Sequence, residues 1–275
     1  MSRWLRNMLV ISLAMVLQGT CFAVDPTSLV ETLSQNYRGK SAVLRGFYCD
    51  SRLEYDVDGN HLQSPKSGAW TACGFIKFKE FKLKENKIEI QGQRTGLTFD
   101  KGKFVSVDGK AVNIKLALKP DATAASLDDV LNAVFYDKQT QLIDIVPDYW
   151  KCYVEHPALI DKFHKCEGPQ TTEEGIEKKT GKIGGGVSAP RPIHNPDPGY
   201  TTLAREHGLG GAVLLAVDVN EGGGTENISI LSPLGLGLDD MAVAAVKNWK
   251  FEPARRGGTP VLVHMTIELN FHPGM

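Results

Sequence analysis

Leu238-Asp239-Asp240-Met241-Ala242-Val243-Ala244-Ala245-Val246-Lys247-Asn248-Trp249-Lys250-Phe251-Glu252-Pro253-Ala254 decides how the last third of this 275-residue chain folds. Leu238, Ala242, Ala245, Val246 and Trp249 recur at helical spacing, which places them on one face of a short amphipathic helix. Asp239 and Asp240 fall in its first turn, where the helix dipole favours negative charge. Pro253 stops any continuation. Upstream, Ala212–Asn220 and Thr225–Leu231 are apolar-rich runs around Glu221-Gly222-Gly223-Gly224, a hairpin signal. Downstream, Val261, Val263, Met265, Ile267, Leu269 and Phe271 alternate with other residues at the period of a strand. A short helix is expected around Tyr200–His207. The order helix, strand, turn, strand, helix, strand predicts an antiparallel three-stranded sheet with two helices.

Further out, the composition is that of a globular protein, and the length accommodates two domains. The formal net charge is −1, and it becomes −3 once residues 1–23, with Arg3 and Arg6, are set aside. That balance argues against a nucleic-acid partner. Residues 1–23 read as an export signal: a basic start, the apolar run Met8–Leu17, and small residues before a cleavage point after Ala23. Two other readings remain open. Uncleaved, the stretch would be an inner-membrane anchor, though Gln18, Gly19 and Thr20 leave it short of the ~20 apolar residues of a span. Alternatively, Cys21 would be a lipidated N-terminus, with Gln18 where such signals normally carry Leu.

Export makes the remaining cysteines, Cys49, Cys73, Cys152 and Cys166, disulfide candidates. Of the three connectivities, Cys49–Cys73 with Cys152–Cys166 is preferred. Cys152, His156, His164 and Cys166 also form a set of zinc-type ligands, but their spacing matches no common zinc pattern. No metal site and no cofactor are expected.

Residues 24–166 predict a β-rich domain. A helix starts at Asp25-Pro26, carries Leu29, Leu33 and Tyr37 one turn apart, and ends at Gly39. Short alternating runs follow, around Leu53-Tyr55-Val57, Gly74-Ile76-Phe78, Ile88-Ile90, Phe104-Val107 and Val112-Leu118. Turns are expected at Asp58-Gly59-Asn60, Glu85-Asn86, Lys101-Gly102 and Asp108-Gly109. Hairpin spacing suggests an antiparallel barrel or sandwich with flanking helices. A helix over Leu127–Phe135, a buried segment Leu142–Val146 and a cysteine-bearing tail to Cys166 complete it. Lys77, Lys79, Lys82, Lys84 and Lys87 read as the solvated face of an edge hairpin. Residues 167–186 form a polar, Gly-containing linker, which reaches roughly 25 Å as a flexible chain. Residues 187–275 are the second domain. The fold class is therefore α+β.

The ordered series Pro198, Tyr200, Ala204-Arg205, Gly211, Val213, Leu215, Val217, Val219, Leu238-Asp239, Ala242, Val246, Trp249-Lys250-Phe251-Glu252-Pro253-Ala254, Gly258, Pro260-Val261 and Phe271 resembles the C-terminal domain of the TonB family of energy transducers. Thr201 stands where that family usually has proline. The N-terminal region resembles an uncharacterised domain that accompanies such C-terminal domains. The resemblance implies an envelope protein that binds an outer-membrane receptor peptide by strand addition. The implied site is the last strand: Val261, Leu262, Val263, His264, Met265, Thr266, Ile267, Glu268, Leu269 and Asn270. An edge of this kind can also pair with a second copy of itself, giving a homodimer. The other function class is a periplasmic binding or assembly adaptor without energy transduction. No protease, nucleotide-binding or nucleophile-elbow motif is present, so no enzymatic activity is expected. Trp249 is expected in the core.

Overall fold

The computed structural model describes residues 26–100, 103–119, 124–136, 140–155, 180–181 and 183–273. Two compact units divide the chain: Met1–Leu97 with Val105–Gln141, and Thr98–Phe104 with Leu142–Met275.

The first unit opens with helix α1 (Pro26–Tyr37). Leu29 and Leu33 lie one turn apart and are buried. Gly39, with φ of +77°, lets the chain turn out of the helix. Strands β1 (Ser41–Leu44) and β2 (Arg52–Tyr55), helix α2 (Trp70–Cys73) and strands β3 (Phe75–Lys84), β4 (Lys87–Asp100) and β5 (Lys103–Ala117) follow. Helix α3 (Ala124–Val134) and strand β6 (Phe135–Tyr136) complete the unit. The sheet runs β2-β5-β4-β3-β1-β6 and curls into a half-barrel. Its core joins Ile76, Phe78, Phe81, Ile88, Ile90, Ile114 and Leu116 with the α1 leucines and with Leu127, Leu131 and Val134 of α3. A register shift between Phe78 and Glu80 changes the alternation, so that Phe78 and Phe81 both point inward.

Three expectations change here. β2 pairs with β5 in parallel, not as a hairpin neighbour. Asp108-Gly109 is no turn, because β5 runs through it and Gly109 lies against the Arg94 backbone. The lysine hairpin β3–β4 lies inside the sheet order and is an edge only beyond Phe78, because β1 and the chain just before it pair with β3 no further than that. Its lysines do face solvent, and two of them are paired: Lys84 with Glu89 at 2.9 Å and Lys82 with Glu80 at 2.9 Å. At such exposed sites each pair contributes only about 0–1 kcal/mol.

Cys49 and Cys73 form a disulfide with Cα atoms 5.1 Å apart. Arg94 of β4 reaches the same place. Its guanidinium is buried and donates to the carbonyls of Cys73 at 3.0 Å and Asp50 at 2.5 Å. Burial lowers its pKa to about 10, still far above neutrality. Covalent and charge-assisted ties thus hold the same two segments.

The second unit contains helices α4 (Leu142–Ile145) and α5 (Asp148–Glu155), strands β7 (Thr180–Gly181) and β8 (Arg191–His194), and helix α6 (Thr202–Glu206). Strands β9 (Gly211–Val219) and β10 (Thr225–Ser232), helix α7 (Leu238–Val246), strands β11 (Lys250–Glu252), β12 (Arg255–Arg256), β13 (Thr259–Pro260) and β14 (Leu262–Phe271) follow. The main sheet runs β10-β9-β14-β7. Val213, Leu215, Val217 and Val219 of β9 are buried, as are Ile230 of β10 and Leu238, Ala242, Val243 and Val246 of α7, the helix that packs on β9 and β10. The hairpin glycine Gly223 has φ of +77°, and a Cβ there would collide with the Phe251 carbonyl. Its own carbonyl accepts the Phe251 N–H at 2.8 Å.

The segment 142–146, expected as buried, is helix α4 and the residue after it; of the five only Val146 is buried. The described part of the tail that begins at Pro147 is helix α5, which groups with the second unit. Its Trp150 is fully buried and stacks on Phe99 with ring centroids 5.6 Å apart. Tyr149 donates its hydroxyl to the Asp240 carboxylate at 2.7 Å.

Candidate functional site

β14 is the expected partner strand, and its burial follows the expected alternation. Val263, Ile267, Leu269 and Phe271 are buried and Met265 is half-buried, while His264, Thr266, Glu268 and Asn270 are exposed. One side of β14 pairs antiparallel with β9 in unbroken register, from Val263 opposite Val219 to Phe271 opposite Gly211. On its other side only β7 is paired, in parallel, with Thr180 opposite Leu262 and Gly181 opposite Val263. Among the described residues, no strand lies beside His264–Phe271 on that side. The edge thus carries unpaired backbone groups of the kind that accept an added strand. Val261 precedes the strand and donates its N–H to Ala254 at 2.9 Å.

The opposite edge, β10, differs. It pairs with β9 through two register shifts, and α5 lies against it. Asn227 there takes φ of +49° and donates to Asp218 at 2.7 Å. Asp218 is buried on the sheet face away from α7 and shares a hydrogen bond with the Nδ1 of His264, its cross-strand neighbour. His264 is thereby oriented by a carboxylate on the central strand. It stands first among the β14 residues that β7 leaves unpaired.

Thr201 caps α6 by accepting the Ala204 N–H at 3.2 Å, and its hydroxyl donates to the Leu236 carbonyl at 2.6 Å. The residue that replaces proline therefore fixes this loop by hydrogen bonds, where proline would do so by its restricted φ. Asp239 staples the turn before α7. Its two oxygens accept the N–H groups of Leu234 at 2.7 Å and Gly235 at 2.8 Å, and the side chain is fully buried. Burial pushes its pKa up to about 7, against the opposing pull of those two donors.

α7 ends at Val246, so Trp249 is off the helix. It is half-buried, its indole N–H donates to the Pro196 carbonyl at 3.0 Å, and its ring lies 6.0 Å from that of Phe251. The expectation of a helix-face core anchor is corrected: the Lys247-Asn248 turn carries Trp249 to the seam between the 196 loop and β11. Cys152 is disulfide-bonded. Its expected partner Cys166, with His156 and His164, lies outside the described residues, as do residues 1–23 and most of 167–186. No group of metal ligands occurs among the described residues. No helix among them is long and apolar enough to cross a membrane.

Comparison with known proteins places this geometry. Residues 196–273 match the family described as Gram-negative bacterial TonB protein C-terminal. The chain is 46% identical to Protein tonB2 of Pseudomonas aeruginosa over 66 residues, which are 24% of each protein. It is 33% identical to Protein TonB of Vibrio cholerae over 75 residues, 27% of this chain and 31% of that one. The chain thus spans about a quarter to a third of the length of these curated relatives. A solution NMR structure of the Pseudomonas aeruginosa TonB C-terminal domain is also similar, at 21% identity and a TM-score of 0.26, covering 32% of this chain and 89% of that one. Residues 196–273 are a TonB C-terminal domain.

Proposed function

We propose that this chain is an exported cell-envelope protein that binds an outer-membrane receptor peptide by strand addition along Val261–Asn270 and supports energy-dependent transport. The observation that carries this reading is the unpaired side of β14 from His264 onward, in a domain of the TonB type. An added strand would gain several backbone hydrogen bonds of ~0.5–1.5 kcal/mol each and lose part of that to its own ordering. The resulting weak to moderate affinity suits a partner that must be released. A second copy adding at the same edge would give a homodimer, in competition with the receptor.

Proline substitution tests this reading. Residues two apart in a strand point their N–H groups to the same side, so Thr266 and Glu268 form one set and Met265 and Ile267 the other. One set donates to β9 and the other faces the open edge. Proline in the first set should unfold the domain, and proline in the second should spare the fold and abolish receptor-peptide binding. Circular dichroism identifies the folded set, and titration of a receptor peptide then decides. A folded proline variant that binds with unchanged affinity rules out strand addition at this edge.

A further inference from the structure

β7 consists of two backbone residues from the region between the folded elements, and it occupies the start of the edge on which the proposed partner would add. Thr180 lies opposite Leu262 and Gly181 opposite Val263, in parallel orientation. The chain is anchored immediately afterwards. Gly184 and Val187 exchange backbone hydrogen bonds at 3.0 and 3.1 Å, Val187 is buried and bridges to Arg256, and Ser188 donates to Arg255 at 3.0 Å. Thr180–Gly181 is therefore tethered within a few residues of a fixed point. Short tethers of this kind give effective concentrations of about millimolar, enough for a segment with few contacts to hold its place.

We propose that Thr180–Gly181 is a built-in competitor strand: it holds the Leu262–Val263 end of the β14 edge in cis, confines an incoming peptide to His264–Phe271, and must be displaced before a longer peptide can pair. This rests on the strand-addition reading above and adds a regulator to the same edge. Two features of the contact support it. The pairing uses backbone groups, which any peptide could replace, so the exchange is chemically like for like. It is also short, and short edge pairings open readily. The remaining free run is eight residues, about 27 Å at the rise of an antiparallel strand. A segment so placed makes affinity depend on peptide length: peptides that stop at His264 would not notice it, and peptides that extend to Leu262 would compete with it.

Two full-chain variants provide the test. Gly181→Pro removes a backbone donor from β7 and should release it. Thr180→Cys with Leu262→Cys, residues directly opposite each other, should lock β7 in place on oxidation. The probes are synthetic six- and ten-residue peptides copied from the periplasmic N-termini of outer-membrane receptors of the same genome. For ten-residue peptides the release variant should bind at least threefold tighter than the wild type, and the oxidised lock at least threefold weaker. Six-residue peptides should bind all three forms alike. Equal affinities of the ten-residue peptides for all three forms overturn the proposal. Amide hydrogen exchange without peptide gives an independent decision. Exchange across Leu262–His264 should be faster in Gly181→Pro than in the wild type, and identical exchange also overturns it. If no peptide binds any form, strand addition fails, and the exchange result alone decides whether β7 covers the edge.

Discussion

Asp239 offers a quantitative test of how the TonB-type domain is held together. Its carboxylate is fully buried in the first turn of α7 and accepts two backbone N–H groups, from Leu234 and Gly235. Those donors favour the charged form and burial favours the neutral form; burial wins, and the folded pKa stands at about 7 against an ordinary value near 3.8. The sign follows from linkage. Below about pH 4 both states are protonated and no ionisation penalty exists. As pH rises from there to about 7, the unfolded chain releases a proton that the folded chain keeps, so stability falls. At 1.36 kcal/mol per unit of pKa difference, the upper bound on the loss is roughly 4 kcal/mol. Asp240, whose pKa burial also raises, acts in the same direction, although the Tyr149 hydroxyl opposes the shift. Hydrogen bonds from their neighbours hold the carboxylates Asp56, Glu89 and Asp148 at lowered values, and they change stability only at more acidic pH. His61, lowered by burial, has the opposite trend near neutrality. The difference between the wild type and Asp239→Asn cancels His61 and isolates Asp239. Chemical unfolding at pH 4.5, 6 and 7.5 should show the wild type losing up to about 3 kcal/mol over that range through this group. The variant should start lower, because its amide faces one backbone donor with another, and should fall less steeply. Parallel curves refute the reasoning. A variant that falls more steeply than the wild type would mean that the two N–H donors outweigh burial.

Trp249→Ala should cost about 2 kcal/mol, below the ~3–5 kcal/mol of a fully buried tryptophan, because the ring is half-exposed and also gives up its bond to Pro196; thermal unfolding measures it, and an unchanged midpoint contradicts it. Mass spectrometry of the protein isolated from its native cells should find a chain beginning at Val24 with four fewer hydrogens than its reduced form, one disulfide being Cys49–Cys73 and the other Cys152–Cys166. Four free thiols or bound zinc would contradict this. Reducing the Cys49–Cys73 bond, which spans a sequence separation of 24, should lower stability by about 3 kcal/mol in denaturant titration. Limited proteolysis should cut between Glu167 and Val187. The fragments should then stay together on a sizing column until denaturant is added, because α5 remains on the N-terminal piece yet packs on β10. Separation under native conditions would show that this packing is weak.

The C-terminal domain was legible because each of its signals is local. Alternation marks β9 and β14, three consecutive glycines mark the β9–β10 turn, and the spacing of Leu238, Ala242 and Val246 marks α7. Its far end was misread because Trp249 continues the helical spacing, while the Lys247-Asn248 turn takes the chain out of the helix. In the first unit, Asp108-Gly109 has the composition of a turn but lies within β5, where pairing along the whole strand overrides local preference. The parallel partnership of β2 with β5 was hidden because hairpin spacing assumes that sequence neighbours pair. The place of α5 could not be read at all: its contacts include Phe99, β10 and Asp240, all far away in sequence, and nothing in Asp148–Glu155 names them. β7 was hidden for the opposite reason. Thr180–Gly181 has no apolar pattern, because a parallel edge contact made by backbone groups requires none.

The two edges of the main sheet bear differently on partner choice. An exposed edge invites pairing with another chain, and proteins blunt edges by bulges, by covering elements or by charge. β10 has the first two, with its register shifts and with α5 against it. Among the described residues, β14 has neither over His264–Phe271. Its register with β9 is unbroken, it contains no proline, and its outward side chains are polar rather than bulky. Of the Asp, Glu, Lys and Arg residues, Glu268 alone lies on this run, and charge deters a hydrophobic strand more than a polar peptide. A partner strand therefore meets a barrier on one side of this sheet and a straight, hydrogen-bonding template on the other. The hydrogen bond from His264 to Asp218 of the central strand keeps the imidazole oriented on the sheet face. That leaves the backbone groups along the edge, and not a side chain, as what an approaching peptide encounters first.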